Sequence, residues 1–160
     1  MRDSQLNTAN PDSYPITAFR FSVFIGPSSI SDGPDASFHE ISGISANLGT
    51  EELLVGGDNE NCYRLPTQVK YSPLILKRGV MKVTSELAKW TEDVLSSGLA
   101  LPIKTKNIAV KLLDDQGNPL VTWVFEGAFP TKYEISSLNA MSNELLIETF
   151  ELTYRRFYRA

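Results

Sequence analysis

Apolar and polar residues alternate one for one near both ends of the chain, and this constrains the fold more than any other feature. In AFRFSVFI (18–25), Phe19, Phe21, Val23 and Ile25 fall on one side and Arg20 and Ser22 on the other. In NELLIETFELTYRRFYR (143–159), Phe150, Leu152 and Tyr154 oppose Thr149, Glu151 and Thr153. Successive side chains leave opposite faces of a strand, so this period predicts strands with one face buried and one wet. It recurs in NIAVKLLD (107–114) and in LVTWVFEGAFP (120–130), where Val121, Trp123 and Phe125 share a face. The turn DDQGNP (114–119) joins these two into a hairpin with a loop longer than the two-residue kind.

Further strands are expected at SFHEISGIS (37–45), from about Gln68 to Val80, and at TKYEISSL (131–138), and the C-terminal run reads as one long strand. Within YSPLILKRGV (71–80), Pro73 precedes the apolar Leu74, Ile75 and Leu76, and Lys77, Arg78 and Gly79 follow them. Proline cannot donate to a ladder, so it marks a strand start, an edge or a bulge. The two cations then end the strand at a surface. One helix interrupts the strands, at TSELAKWTEDVLSSG (84–98). Leu87, Trp90, Val94 and Leu95 form its apolar stripe, Thr84 can cap it, Glu86 suits its positive end and Gly98 its C′ position. The architecture this predicts is mainly β: a single-domain β-barrel or sandwich of about six or seven strands with one flanking α-helix at about 84–97.

Two stretches fall outside the strand pattern. Residues 1–15 are rich in Asn, Asp, Ser and Pro and read as a flexible N-terminal arm before a domain over 16–160. Residues 46–64 form a polar, acidic excursion with a Gly56-Gly57-Asp58-Asn59 turn, read as a protruding loop or hairpin. The N-terminal residues lack the apolar core of a secretory signal, so synthesis in a cytoplasm is expected. A net charge of −4 argues against a broad affinity for phosphate backbones or anionic membranes.

Catalytic chemistry finds little purchase. The chain has one histidine, His39, and one cysteine, Cys62, with no GxSxG elbow. A Cys–His pair is formally open, but His39 reads as a strand residue and Cys62 as a loop residue. Zinc would need two carboxylates besides, and Asp58-Asn59-Glu60-Asn61 lacks calcium-loop spacing. The expectation is no enzyme, no metal and no cofactor. The C-terminal mixture of Tyr154, Arg155, Arg156, Phe157, Tyr158 and Arg159 is thin support for base stacking, and no sequence-specific nucleic-acid binding is expected. The residues alone leave open a monomeric β-barrel module that holds a ligand or a protein at its mouth or against the helix.

Taken in order, SYPITAFRFSV, FHEISGI, YRLPTQVKYSPLILKRGV, the helix around Trp90, IAVKLLDDQGNPLVTWVFEGAFPTKY and NELLIETFELTY resemble the tail-tube protein family. That family serves contractile phage tails and phage-tail-like injection systems, and it shares its fold with the type VI secretion hemolysin-coregulated protein. The most specific pieces are EISG, LKRG, and the spacing of Trp123 from Ala128-Phe129-Pro130-Thr131-Lys132. The insertion SSISDGPDAS (28–37) is more typical of some injection-system paralogues.

The resemblance implies a structural subunit: hexameric rings stacked into a tube, surrounded by sheath and resting on a baseplate, with effector protein or DNA in the lumen. The particle would be a phage virion or an extracellular or cell-associated injection system. It also implies roles for residues. Glu51, Glu52, Asp58, Glu60 and Arg64 become candidates for ring stacking, where the acids would meet cations of another subunit. Lys77, Arg78 and Lys132 become candidates at inter-subunit strand ends, and Thr149, Glu151 and Thr153 candidates for the lumen face.

Overall fold

A computed structural model of the chain describes residues 20–26, 38–54, 62–80, 85–98, 100–138 and 145–160. The expectations for the arm at 1–15, for the insertion at 28–37 and for Thr84 lie outside those residues. Nine strands and one helix are described: β1 (Phe21–Ile25), β2 (Glu40–Ser42), β3 (Ala46–Leu54), β4 (Cys62–Tyr71), β5 (Leu74–Gly79), α1 (Glu86–Ser97), β6 (Lys106–Leu113), β7 (Pro119–Ile135), β8 (Ile147–Thr153) and β9 (Arg156–Arg159). All pairing is antiparallel. The main sheet runs β1-β6-β7-β8-β5-β2, with β9 also on β7, and it does not close into a barrel.

The 17-residue strand β7 carries this sheet around the core. Its first part, to Ala128, pairs with β6, and from Phe129 onward it pairs with β8. Between them Glu126 and Gly127 together oppose Asn107, which makes a β-bulge. Gly127 takes φ +62°, a left-handed conformation that glycine adopts at little cost, and its N–H donates to Asn107 Oδ1 at 3.1 Å. A second irregularity follows at Thr131, beside Pro130. The two strands expected at 120–130 and 131–138 are therefore one bent strand.

The opposite error occurs twice. The strand expected over 68–80 is two strands, split at Ser72-Pro73, and they belong to different sheets. The long C-terminal strand breaks at Tyr154-Arg155: β8 pairs with the far part of β7, and β9 pairs back onto Trp123–Glu126. The strand expected at 37–45 shrinks to Glu40–Ser42. Strand β1 and the β6–β7 hairpin fall where alternation puts them. In the β6–β7 turn, the Asp114 carboxylate accepts from the backbone N–H groups of Gln116 (2.9 Å) and Asn118 (2.7 Å).

One core joins both halves of the sheet. Val23, Val110 and Phe125 come from the β1-β6-β7 side, and Leu74, Leu76, Phe150 and Leu152 from the β5-β8 side. The helix closes it with Leu87 and Trp90, and the indole N–H of Trp90 donates to the Lys104 carbonyl at 3.0 Å. The N-cap is Ser85, whose hydroxyl accepts from Ala88 N–H at 3.2 Å, and Gly98 ends the helix at φ +53°. Thr91 is buried on the stripe, whereas Leu95, expected there, is exposed. Among the described residues no helix is long and apolar enough to cross a membrane.

Strands β3 and β4 form a separate two-stranded ladder. Its root is tightly built. Ser72 N–H donates to the Ser45 carbonyl at 3.2 Å, and the Ser45 hydroxyl donates to Ser72 Oγ at 2.7 Å. Tyr71 packs its ring against Tyr154 and Phe157, each with centroids 5.8 Å away. Gly43, at φ +86°, passes so close to Pro73 that a Cβ there would lie 1.8 Å from the proline carbonyl oxygen. Gly43→Ala combines that clash with left-handed strain and is expected to destabilise the subunit by at least ~2 kcal/mol, read by urea denaturation. An unchanged midpoint would mean that the root tolerates displacement.

Candidate assembly surfaces

The β3–β4 ladder is exposed on both faces: every described residue of β4 up to Lys70 is open to solvent, as are Glu51, Glu52 and Leu53 on β3. At ~3.4 Å per residue this makes an arm about 27 Å long. A two-stranded ribbon without a covering layer is marginal on its own. Its apolar side chains are exposed: Leu48, Leu53, Tyr63, Leu65 and Val69. Of the stacking candidates, Glu52 and Arg64 stand directly opposite one another and pair at 3.4 Å within the arm. Glu51 lies across from Leu65 and makes no ion pair among the described residues. Asp58 and Glu60 lie outside the described residues.

The outer face of β7-β8-β5-β2 gathers residues expected in two separate roles. Thr149, Glu151 and Thr153 sit half-buried on it, out of phase with the core residues Phe150 and Leu152. The register places Lys77 opposite Thr149 and Lys132 opposite Glu151. Lys77 Nζ pairs with Glu40 at 2.8 Å across β5 and β2, and Lys132 Nζ with Glu134 at 2.5 Å. Hydrogen bonding from Lys77 holds the Glu40 carboxyl below the usual carboxylate range, and Lys132 does the same for Glu134. Each lysine is thus neutralised locally. Glu40, Glu134 and Glu151 against Lys77 and Lys132 leave one acid in excess.

Arg78 does not share that exposed position. It was expected as a strand-end cation open to a neighbour, but it is only 2% exposed. Parity is the reason: residue 78 is in phase with Leu74 and Leu76, so its side chain enters the core. It stands directly opposite Glu148 and forms a buried ion pair with it through Nε. Its Nη2 also donates to the Ser85 hydroxyl at 2.7 Å, and its guanidinium lies 5.0 Å from the Phe150 ring centroid. The second Glu148 oxygen accepts from Tyr133 OH at 3.0 Å. Burial, and then this bond, raise the Tyr133 pKa. Glu148, Tyr133 and Ser85 were absent from the sequence-based candidates.

His39 and Cys62 belong to separate ladders, and both are exposed. His39 N–H bonds to the Lys77 carbonyl beside β2, whereas Cys62 lies at the far end of the arm. Among the described residues no group of three or more His, Cys, Asp or Glu side chains is arranged to hold a metal.

An open sheet bent around one core, a helix laid across it and a free-standing arm define a tail-tube fold. The chain belongs to the T4-like virus tail tube protein gp19 family, whose model matches residues 17–158. It is similar to a chain in the cryo-EM structure of the anti-feeding prophage baseplate, 6-fold symmetrised, with 31% identity, a TM-score of 0.79 and coverage of 92% of this chain and 97% of that one. It is also similar to a chain of an extracellular contractile injection system, the PVC sheath-tube complex in its extended state, with 28% identity, a TM-score of 0.77 and coverage of 92% and 93%. Hcp1 from Flavobacterium johnsoniae shares the fold at 20% identity and a TM-score of 0.56, over 88% of this chain and 94% of that one. Among curated proteins none matches it in sequence.

Removing one member of a buried ion pair leaves the other charge unpaired. Arg78→Met is therefore expected to cost ~3–5 kcal/mol. The double variant Arg78→Met with Glu148→Leu should recover most of that loss, as measured by chemical denaturation of all three proteins. Equal losses in the single and double variants would show that the pair is not the source.

Proposed function

We propose that the chain is a subunit of the inner tube of a contractile injection system or phage tail, assembled as hexameric rings stacked into a tube within a sheath and on a baseplate. The observation that carries this reading is the arm. About 27 Å of two-stranded ladder with both faces in solvent has no covering layer among the described residues, and a second subunit supplies one. The open sheet supports the same reading. Strands β1 and β2 end it with edges that no other described strand pairs, and neighbouring subunits in a ring can continue them.

The lumen is lined by the outer face of β7-β8-β5-β2. Small hydroxyl side chains and lysines already neutralised by glutamates offer a polyanion few fixed cations, and each cation–phosphate contact would add salt-dependent affinity. A protein effector meets the same weakly polar lining. Transport is steric, with no reaction along it, and the final location is a virion or an extracellular or cell-associated particle. The arm acids Glu51 and Glu52 face the neighbouring ring, with Glu52 also held by Arg64.

Light scattering after size exclusion, with negative-stain microscopy, is expected to give sixfold rings or tubes from purified protein. A stable monomer at high concentration would instead favour the monomeric binding module. Charge reversal by Glu51→Lys with Glu52→Lys is expected to shorten the tubes while leaving the rings intact, and unchanged tube length would remove these acids from stacking.

A further inference from the structure

Among the described residues a single side chain ties the arm to the body of the subunit. Every residue of β4 is exposed until Tyr71, at its last position, and the facing Ala46 of β3 is exposed as well. Tyr71 is also the one described arm residue that packs against the core cluster. Its ring lies 5.8 Å from Tyr154 and 5.8 Å from Phe157 between centroids, the second contact edge to face. Behind them Phe125 meets Tyr154 edge to face at 4.9 Å and stacks on Phe157 at 5.6 Å. These are the separations of favourable aromatic pairs. The Tyr154 hydroxyl is buried and makes no hydrogen bond among the described residues, so the rings carry the contact.

The seat of the Tyr71 ring is the bend of the main sheet. Phe125 directly precedes the bulge at Glu126-Gly127, Tyr154 lies at the break between β8 and β9, and Phe157 stands just beyond it. The hydrogen bonds at the root do a different job. Both join Ser45 to Ser72, so they hold the two chains side by side but leave the ladder free to tilt about the line between those residues. A ring seated on one face of the ladder removes that freedom.

We propose that Tyr71 is a positioning residue: seated on Tyr154 and Phe157, it sets the direction in which the arm leaves the subunit before any partner is met. A two-stranded ribbon without a covering layer is marginal and has no other side chain anchored to the body to hold it in one direction. An arm already held in one direction has lost the orientational freedom that association would otherwise remove, and preorganisation of this kind strengthens binding without adding a contact. The direction of the arm then follows from the bend in β7, through Phe125 and the rings packed on it. The consequence for assembly rests on the tube reading, whereas the geometry of the brace does not.

The exposed Cys62, at the far end of the arm opposite Leu54, is a natural labelling site. A spin label there and a second at Lys89→Cys, exposed on the helix, report the arm's direction through the distribution of distances between them. Labelled chains are diluted into excess unlabelled protein, so that only distances within one subunit are read, and the reading is taken before tubes form, as followed by light scattering. Chains with Tyr71 or Tyr71→Phe are expected to give one narrow distribution, and Tyr71→Ala a broad one. Tyr71→Leu, which keeps apolar bulk without a ring, is expected to broaden it too, and it takes the place of Tyr71→Ala if urea denaturation shows that variant unfolded. Added to preformed tubes, the ring-less variants are expected to extend them more slowly than wild type or Tyr71→Phe. A broad distribution with Tyr71 in place, or narrow ones without its ring, would overturn the brace. Broadened arms that extend tubes at the wild-type rate would overturn its part in assembly. Wild-type protein that never forms rings or tubes would overturn the tube reading, and the distances would then decide the brace alone.

Discussion

The bend in β7 is the constraint on which the rest of the molecule depends. One strand serves two directions of pairing only if it can turn without losing its ladder, and the bulge at Glu126-Gly127 opposite Asn107 provides that turn. Gly127 supplies a positive φ, and the Asn107 side chain accepts the N–H that the irregular ladder leaves over. Across the same point the C-terminal segment breaks at Tyr154-Arg155, with Arg155 N–H bonded to the Glu126 carbonyl at 2.9 Å. Two adjacent segments therefore bend together. Phe125, Tyr154 and Phe157 fill the inside of the bend, the first two rings meeting edge to face at 4.9 Å between centroids. Without it β1-β6 and β5-β2 would lie in one flat sheet with no enclosed core.

Register within the second half of the sheet is held by a charge pair. Arg78 and Glu148 face each other across β5 and β8 among side chains as buried as Leu74, Leu76 and Phe150. A slip of one residue would move every side chain to the other face, leaving both charges outside and Lys77 and Thr149 in the core. The pair adds little net stability over a well-packed apolar alternative, but unpairing it is costly, so it penalises the wrong register. Through Ser85 it also fixes the start of the helix to the sheet. The wet face carrying Lys77, Lys132, Thr149 and Glu151 is defined by the same register.

Much of this was legible in the residues. Alternation located β1, β6 and β8 and separated the wet from the buried side of β8, because a period of two is a local property. The order of segments carried the family. What failed were strand boundaries, where a local signal has two meanings. Pro130 read as an end but sits beside a bend, whereas Pro73, placed inside a strand expected over 68–80, is a true break between sheets. The buried ion pair had a local signal that strand-end chemistry obscured. Arg78 is in phase with Leu74 and Leu76, and Glu148 with Phe150, Leu152 and Tyr154, so opposite charges sat on two apolar faces. That they face each other across a ladder is long-range information. The exposure of the arm, and the position of its root beside the Leu74 end of β5, likewise follow from topology and not from any local pattern.

A subunit proposed to pair with copies of itself must also avoid stray association, and the two kinds of exposed surface are guarded differently. The sheet edges are short: five residues in β1 and three in β2. A short edge offers few backbone hydrogen bonds to a stray strand, and only a partner that also aligns side chains gains enough to remain. Lys111, seated over the Phe24 ring, adds charge beside the β1 edge. The arm is long and apolar in places, but Glu51, Glu52, Arg64 and Lys70 interrupt its apolar stretches. Short edges and interrupted apolar stretches disfavour indiscriminate pairing, and they reserve the exposed surfaces for a partner that matches their side chains.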